Sequence, residues 1–364
     1  MIPEFYQSWH IAPKIITLLA FMVVGVFFLV KFCDLFVGAS SAIAKKLKIA
    51  PMIIGLTVVA MGTSCPELAV SVSDSIACLV NGGNANVAIG NVVGSNICNI
   101  LLVLGLSIIF TPIIIKKSSL KKEFPFLLGV SLLLVIFGIF FGVGSATGNY
   151  AILRWEGIIF VVLLIAYVVF LVLDAKKHPT IDLEKTSDSV DGNENQEEIK
   201  DMKIWKAILF VIFGAVGIAL GGEFVVFGAK GIAVTGATAM GINQDLAESL
   251  VGLTIVAVGT SLPELVTSVV AAKKGENDIA LGNVIGSNIF NILFVLGISA
   301  TVNPLVTGSE VVIDLIVMMS TTILLFLFAL TKKLDKKMGF VFISIYLLYL
   351  TYLILRTVGV IPQI

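Results

Sequence analysis

Charged side chains make up only 13% of the 364 residues, and histidine occurs twice, at His10 and His178. A soluble globular chain carries about 25% charged residues, so the material for a fully solvated surface is missing. The 24 basic and 24 acidic residues cancel, which excludes a polyanion-binding surface and with it a nucleic-acid partner. Cysteine is scarce too. Cys33, Cys65, Cys78 and Cys98 lie in apolar surroundings without CxxC spacing or histidine partners. They read as small core residues, and neither a disulfide nor a zinc site is expected. No HExxH or GxSxG occurs, so the chain offers neither a metalloprotease helix nor a nucleophile elbow, and an enzyme is not expected.

What the chain has in excess is apolar residues, at 58%. That is about 211 side chains, enough for roughly ten bilayer spans of some 20 residues each. Long apolar runs broken by charge place ten helices at 13–37, 50–79, 86–109, 124–145, 151–173, 205–232, 245–272, 278–302, 309–330 and 338–359. Runs such as 126–141 and 158–173 do not alternate polar with apolar residues, which excludes a membrane β-barrel and leaves an all-α polytopic membrane protein. The first run is too long for a cleavable leader and reads as a span.

Basic residues orient the bundle. With the N-terminus outside, 19 of the 24 fall in connections on the inner side, from Lys45, Lys46 and Lys48 to Lys332, Lys333, Lys336 and Lys337. Lys14, Arg154, Lys230 and Arg356 are left outside, and Lys31 lies within the first span. The positive-inside rule then puts both termini outside. The expected location is the plasma membrane. Residues 174–203 carry Asp174, Asp182, Glu184, Asp188, Asp191, Glu194, Glu197, Glu198 and Asp201. So polar a run reads as a flexible cytoplasmic linker, and it lacks the spacing of a calcium-binding EF-hand loop.

That linker divides the chain into halves, 1–173 and 204–364, which are written on one pattern. GLTVVAMGTSCPEL (55–68) matches GLTIVAVGTSLPEL (252–265) at an offset of 197, and AIGNVVGSNICNILLVLG (88–105) matches ALGNVIGSNIFNILFVLG (280–297) at 192. Repeat one therefore holds five extra residues between its motifs. Five spans per half means that the second repeat enters the membrane the opposite way up, and the motifs of inverted repeats meet near the midplane.

Glu67 and Glu264 each follow a proline inside an apolar span. An ionised carboxylate there must face water, a base or a bound cation. No Lys or Arg lies within either motif, so a cation from solution is the expected partner. Pro66 and Pro263 withdraw a backbone donor and free carbonyls in the preceding turn, which Gly62 and Gly259 soften. Such broken helices can line ion cavities. Thr63, Ser64, Thr260 and Ser261 add hydroxyls. Ser95 with Asn99, and Ser287 with Asn291, are spaced four apart on one helix face. All these groups are oxygen donors, which suits hard cations such as calcium, sodium or magnesium. Cys65 has Leu262 at the matching position, so sulfur is not expected to coordinate. Gly90, Gly94, Gly282 and Gly286 read as packing faces, and Asn96 and Asn288 as backbone-bonded. Asp34, Asp74 and Glu223 also lie in spans but carry no motif; Asp74 sits two turns after Glu67 on its face.

The paired motifs, GTSxPEL and GNVxGSNIxNI in inverted halves, resemble the alpha repeats of the cation/calcium antiporter superfamily. Within it they resemble the sodium/calcium exchanger family, particularly prokaryotic members without a large cytoplasmic domain. The resemblance implies ten helices, a central diamond of ion sites, calcium and sodium as cargo, and no resident cofactor. It implies ligands at Glu67, Glu264, Thr63, Ser64, Thr260, Ser261, Ser95, Asn99, Ser287 and Asn291, joined by the carbonyls of Ala60 and Ala257. Several branches carry Asp where Asn291 stands, serving a sodium or potassium site there. The expected activity is calcium exchange for sodium. A calcium/proton antiporter using the same glutamates is the alternative, because a buried carboxylate can carry a proton as well as face a metal ion. An intramembrane enzyme and a passive channel fit the duplicated acidic motifs less well.

Overall fold

The structure, a computed structural model, describes residues 11–82, 87–141, 150–177, 203–239, 257–308, 310–357 and 360. The first half contributes α1 (Ile11–Leu47), α2 (Pro51–Thr63), α3 (Cys65–Asn81), α4 (Val87–Phe110), β1 (Ile113–Ile114), α5 (Lys117–Phe140), β2 (Tyr150–Ile152) and α6 (Arg154–Lys177). The second contributes α7 (Ile204–Ala239), α8 (Ala257–Thr260), α9 (Leu262–Lys273), α10 (Asn277–Val302), β3 (Leu305–Thr307), α11 (Glu310–Ala329), β4 (Lys333–Leu334) and α12 (Lys336–Thr357). Among the described residues eight helices are long and apolar enough to cross a membrane, and the pair α2–α3, bent by 48°, makes a ninth. The expected span 245–272 falls partly outside the described residues, which begin again at Ala257.

Several sequence boundaries move. The span expected over 50–79 breaks at Ser64, where proline two residues on cannot donate to the preceding turn. The expected start of helix 151–173 is strand, since residues 150–152 pair with β3. Asp174–Lys177, assigned to the linker by their charge, continue α6, because Asp174 bonds Lys122 on α5 at 2.6 Å. The linker residues 178–202 lie outside the described residues, as do the chain ends at 1–10 and 361–364.

The halves are locked together reciprocally. Strand β1 pairs antiparallel with β4, and β2 with β3, so the strand after the third span of each half joins the far end of the other half. Lys116, just beyond α4, forms an ion pair with Asp278 at the start of α10. Equivalent helices of the two halves therefore run in opposite directions. Helices α1 and α7 obey the same symmetry. A methyl on Gly25 would meet the Gly221 carbonyl at 2.7 Å, and one on Gly221 would meet the Gly25 carbonyl at 2.9 Å.

Burial separates a centre from a rim. In the most apolar 18 residues of α10, 94% are buried, and 78% in α4, against 17% in α1. The main apolar cluster takes in α4, α5, α6 and α10–α12. A second, built from Leu29, Cys33, Phe36, Val37, Val211 and Ile218, runs along the α1–α7 seam and reaches the motif helices through Val59, Ala271 and Ile279.

Helix α10 approaches α2 through small residues, as the motif suggests. A Cβ on Gly282 would stand 2.7 Å from the Met52 carbonyl and 3.0 Å from Gly55 Cα. Because both are backbone atoms, Gly282→Ala is expected to destabilise the protein by about 1–3 kcal/mol, read as a lower unfolding midpoint in detergent. No described residue stands within 4 Å of a Cβ at Gly90 or Gly94. The segment matching their counterparts' partners, around 249–256, lies outside the described residues.

Candidate ion-binding site

Each motif builds the same local device. Ser64 (φ −84°, ψ 6°) and Ser261 (φ −87°, ψ 3°) hold the corner between the short segments Ala60–Thr63 and Ala257–Thr260 and the helices α3 and α9. Proline in the first turn fits there, since its missing N–H has no helical acceptor to lose. The glutamate then falls in that first turn, where the helix N-terminus favours negative charge. Glu67 and Glu264 are both completely buried.

Hydroxyls from both repeats converge on these carboxylates. Ser95 Oγ lies 3.5 Å from Glu67 Oε1, and Ser287 Oγ lies 3.5 Å from Glu264 Oε1. Ser64, three residues before Glu67, reaches across and donates to Glu264 Oε1 at 3.1 Å. Thr63 Oγ1 stands 3.4 Å from Ser287 Oγ and donates to Asn283 Oδ1 at 3.1 Å. The Ala60 carbonyl accepts the Ser64 N–H at 3.0 Å and the Thr63 hydroxyl at 3.3 Å. Thr260 is half-buried and Ser261 buried.

Several buried atoms lack partners. Glu67 Oε2, Glu264 Oε2, both amide atoms of Asn99, Asn291 Oδ1 and Ser261 Oγ have no hydrogen-bond partner among the described residues. Orphaned buried polar atoms are costly, and here they come from both repeats. Neither glutamate has a basic partner among the described residues; the four ion pairs present lie elsewhere. The donors are carboxylate, hydroxyl and amide oxygens, and no three His, Cys, Asp or Glu side chains gather among the described residues. Such a set suits a hard cation.

Two asparagines went unnoticed in the sequence. Asn91 Nδ2 bonds Ser71 Oγ at 3.0 Å and the Glu67 carbonyl at 3.4 Å; Asn283 Nδ2 bonds Ser268 Oγ at 2.9 Å and the Glu264 carbonyl at 3.4 Å. Each fixes the glutamate's own backbone. Their matched places in GNV were a usable signal. Asn288 bonds the Val284 carbonyl at 2.8 Å and Asn96 the Asn288 carbonyl at 3.3 Å, while Asn96 Oδ1 accepts from Asn291 Nδ2 at 3.1 Å. Helices α4 and α10 widen into π-type turns that begin at Asn99 and Asn291, a distortion frequent at functional sites.

The remaining acids scatter. Asp34 pairs with Lys274 at 3.0 Å and is half-exposed; Glu223 is exposed on α7. Asp74 is partly buried with Oδ2 unpartnered among the described residues. Cys65 is exposed and Cys78 half-buried, so only Cys33 and Cys98 are core residues. The helix break at Ser64 turns Cys65 out of the packed interior.

Two helical repeats that bring buried, partly unpartnered oxygen donors together among membrane-length helices have the architecture of a multi-pass secondary carrier. The chain belongs to the sodium/calcium exchanger family, whose sequence model, described as sodium/calcium exchanger protein, matches residues 17–173 and 206–355. It is 36% identical over 312 residues to the putative antiporter CaxA of Alkalimonas amylolytica, covering 85% of this chain and 89% of that one. It is 34% identical over 356 residues to the sodium/calcium exchanger MaX1 of Methanosarcina acetivorans, covering 91% and 97%. Its fold matches the sodium-calcium exchanger NCX_Mj with a TM-score of 0.72 and 30% identity, over 92% of this chain and 98% of that one. The chain is a cation/calcium antiporter by family.

Proposed function

We propose that this antiporter expels calcium in exchange for sodium, by alternating access at the site between the repeats. The observation that carries this reading is the pair of fully buried glutamates, one per repeat, each with one unpartnered oxygen and no base among the described residues. Glu67 and Glu264 supply two negative charges, which one calcium neutralises. Thr63, Ser64, Thr260, Ser261, Ser95, Asn99, Ser287 and Asn291 complete the oxygen shell. The Ala60 carbonyl joins once the Thr63 hydroxyl turns away, and Ala257 takes the matching role. The lysine-rich side faces the cytoplasm, both termini lie outside, and the membrane is the plasma membrane.

Calcium flux in proteoliposomes, with sodium, potassium and proton gradients imposed one at a time, tests the coupling. Uptake driven by sodium alone is expected. Uptake driven only by a proton gradient identifies the calcium/proton alternative, and calcium passing without any countergradient identifies a channel.

The same site sets an expectation for Asn291. Two or three sodium ions leave the two glutamates neutral or at +1, and buried excess charge is costly. Asn291 brings no charge, so it disfavours potassium dependence and weakens the middle ion position. Asn291→Asp also replaces the amide that Asn96 Oδ1 accepts from, so a cation is drawn between the two oxygens. The variant is expected to bind sodium or potassium more tightly or to move more charge per calcium. Calcium efflux against graded sodium, with and without potassium, and the membrane potential per calcium measure it. A wild-type requirement for potassium, or unchanged cation dependence and charge in the variant, refutes the assignment.

A further inference from the structure

The outer helices of the two halves bury residues at matching positions. Phe124 and Leu315, Leu127 and Met318, and Leu134 and Leu325 are buried at a common offset of 191 between α5 and α11. Between α6 and α12 the offset is 182. Gly157 packs against the Gly297 carbonyl and Gly339 against the Gly105 carbonyl, with a Cβ approach of 2.7 Å in each case. These offsets set Glu123 opposite Asp314, Tyr167 opposite Tyr349 and Asp174 opposite Arg356.

In the second half those positions form a closed set. Tyr349 donates its phenol to Asp314 Oδ1 at 3.0 Å, and Arg356 Nη2 lies 3.1 Å from Asp314 Oδ2, with both side chains only 13% exposed. The guanidinium also sits 5.4 Å from the Tyr352 ring centre. One cation thus ties α11 to α12 beneath the protein surface.

In the first half the arginine's place holds an acid. Asp174 engages Lys122 through both carboxylate oxygens, at 2.6 and 2.7 Å. That leaves Glu123 and Tyr167 at the matching positions without an arginine, and no hydrogen bond joins them as one joins Asp314 and Tyr349. Glu123 is 7% exposed and Tyr167 4%. Glu123 Oε2 and the Tyr167 hydroxyl have no hydrogen-bond partner among the described residues. The Tyr167 ring is stacked on Phe126, one turn along α5 from Glu123, with ring centres 4.2 Å apart. Glu123, Asp174 and Lys122 together leave one negative charge.

We propose that a monovalent metal cation, of sodium or potassium size, sits between Glu123 Oε2 and the Tyr167 hydroxyl and ties α5 to α6 where the second half uses Arg356. Carboxylate and phenol oxygens suit a hard ion, and a single charge closes the local balance. A divalent ion leaves a buried excess of +1. The site lies at the lysine-rich end of the bundle and is separate from the pair Glu67 and Glu264.

The test uses the full-length protein in detergent, carrying Glu67→Gln and Glu264→Gln so that the transport carboxylates do not contribute. Thermal unfolding is followed in sodium, potassium and N-methylglucamine chloride at constant pH and ionic strength. A saturable rise of about 2–4 °C with sodium or potassium is expected over N-methylglucamine. Tyr167→Phe is expected to remove most of that rise. The pair Lys122→Ile and Asp174→Arg, which transplants the second half's arrangement, is expected to give the stabilised midpoint without metal. Equal midpoints in all three salts overturn the proposal, as does a full rise retained in Tyr167→Phe. A midpoint that follows pH but not the metal overturns it too, and assigns a proton to Glu123. None of these outcomes depends on calcium coupling to sodium.

Discussion

Glu67→Gln or Glu264→Gln, made singly, is expected to lower calcium exchange by at least about 100-fold while leaving the fold intact. Each change removes half of the formal negative charge at the site. The attraction lost between a divalent ion and one carboxylate at low effective dielectric is several kcal/mol, and each ~1.4 kcal/mol is a factor of ten. The fold is spared because the amide keeps an oxygen where Ser64 donates to Glu264 and where Ser95 approaches Glu67. Calcium-45 uptake into sodium-loaded proteoliposomes measures the loss, and an unchanged elution profile and unfolding midpoint exclude misfolding. Near-normal flux in either folded variant would show that the paired carboxylates do not hold the calcium.

A disulfide between α1 and α9 is expected to stop exchange reversibly. Cys33 Sγ already lies 3.3 Å from Thr267 Oγ1, so Thr267→Cys puts two sulfurs within bonding reach. In inverted-repeat carriers one group of helices moves against another around a fixed site. Helices α1 and α7 pack along a shared apolar seam, and only 17% of the most apolar stretch of α1 is buried, against 94% in α10. From these features α1 and α7 are expected to be the moving element. In a chain with Cys65, Cys78 and Cys98 replaced by alanine, oxidation of the Thr267→Cys variant is expected to abolish flux. Dithiothreitol is expected to restore it, and Cys33→Ser to prevent the effect. Full turnover with the disulfide quantitatively formed by mass spectrometry would mean that α1 and α9 move as one body.

The duplicated motifs make the candidate site legible in the amino-acid sequence. Repetition of GTSxPEL and GNVxGSNIxNI picks out buried polar residues that composition alone hides, and the fold gathers Thr63, Ser64, Glu264 and Ser287 into one hydrogen-bonded group. Apolar run length finds most spans, because the bilayer demands it. The break at Ser64 is signalled by Pro66 and Gly62 and not by length, while the π-type turns at Asn99 and Asn291 leave hydrophobicity unchanged and carry no such signal. The strands escape for a different reason. Ile113–Ile114 and Lys333–Leu334 are each two residues long and acquire meaning only from a partner far along the chain. Asp314 and Arg356 are legible only as charges near span ends, since pairing between helices leaves no local pattern. Asp174 is misassigned from sequence because its charge resembles that of the segment beyond it, while its partner Lys122 lies on another helix.

The reciprocal strand pairs bear on how the chain is made. Ile113 pairs with Leu334 and Ala151 with Val306, so neither half contains the partners of its own strands. Ile113 leaves the ribosome roughly 220 residues before its partner, which at about 5–20 residues per second is some 10–45 s. For most of that interval the completed first half sits in the bilayer without its partner strands. Backbone groups at β2 stay unpaired until β3 is made and those at β1 until β4 is, and the Gly105 face of α4 stays uncovered until α12 follows. Biogenesis is thus a timed assembly in which the nascent second half acts as the template that closes the first.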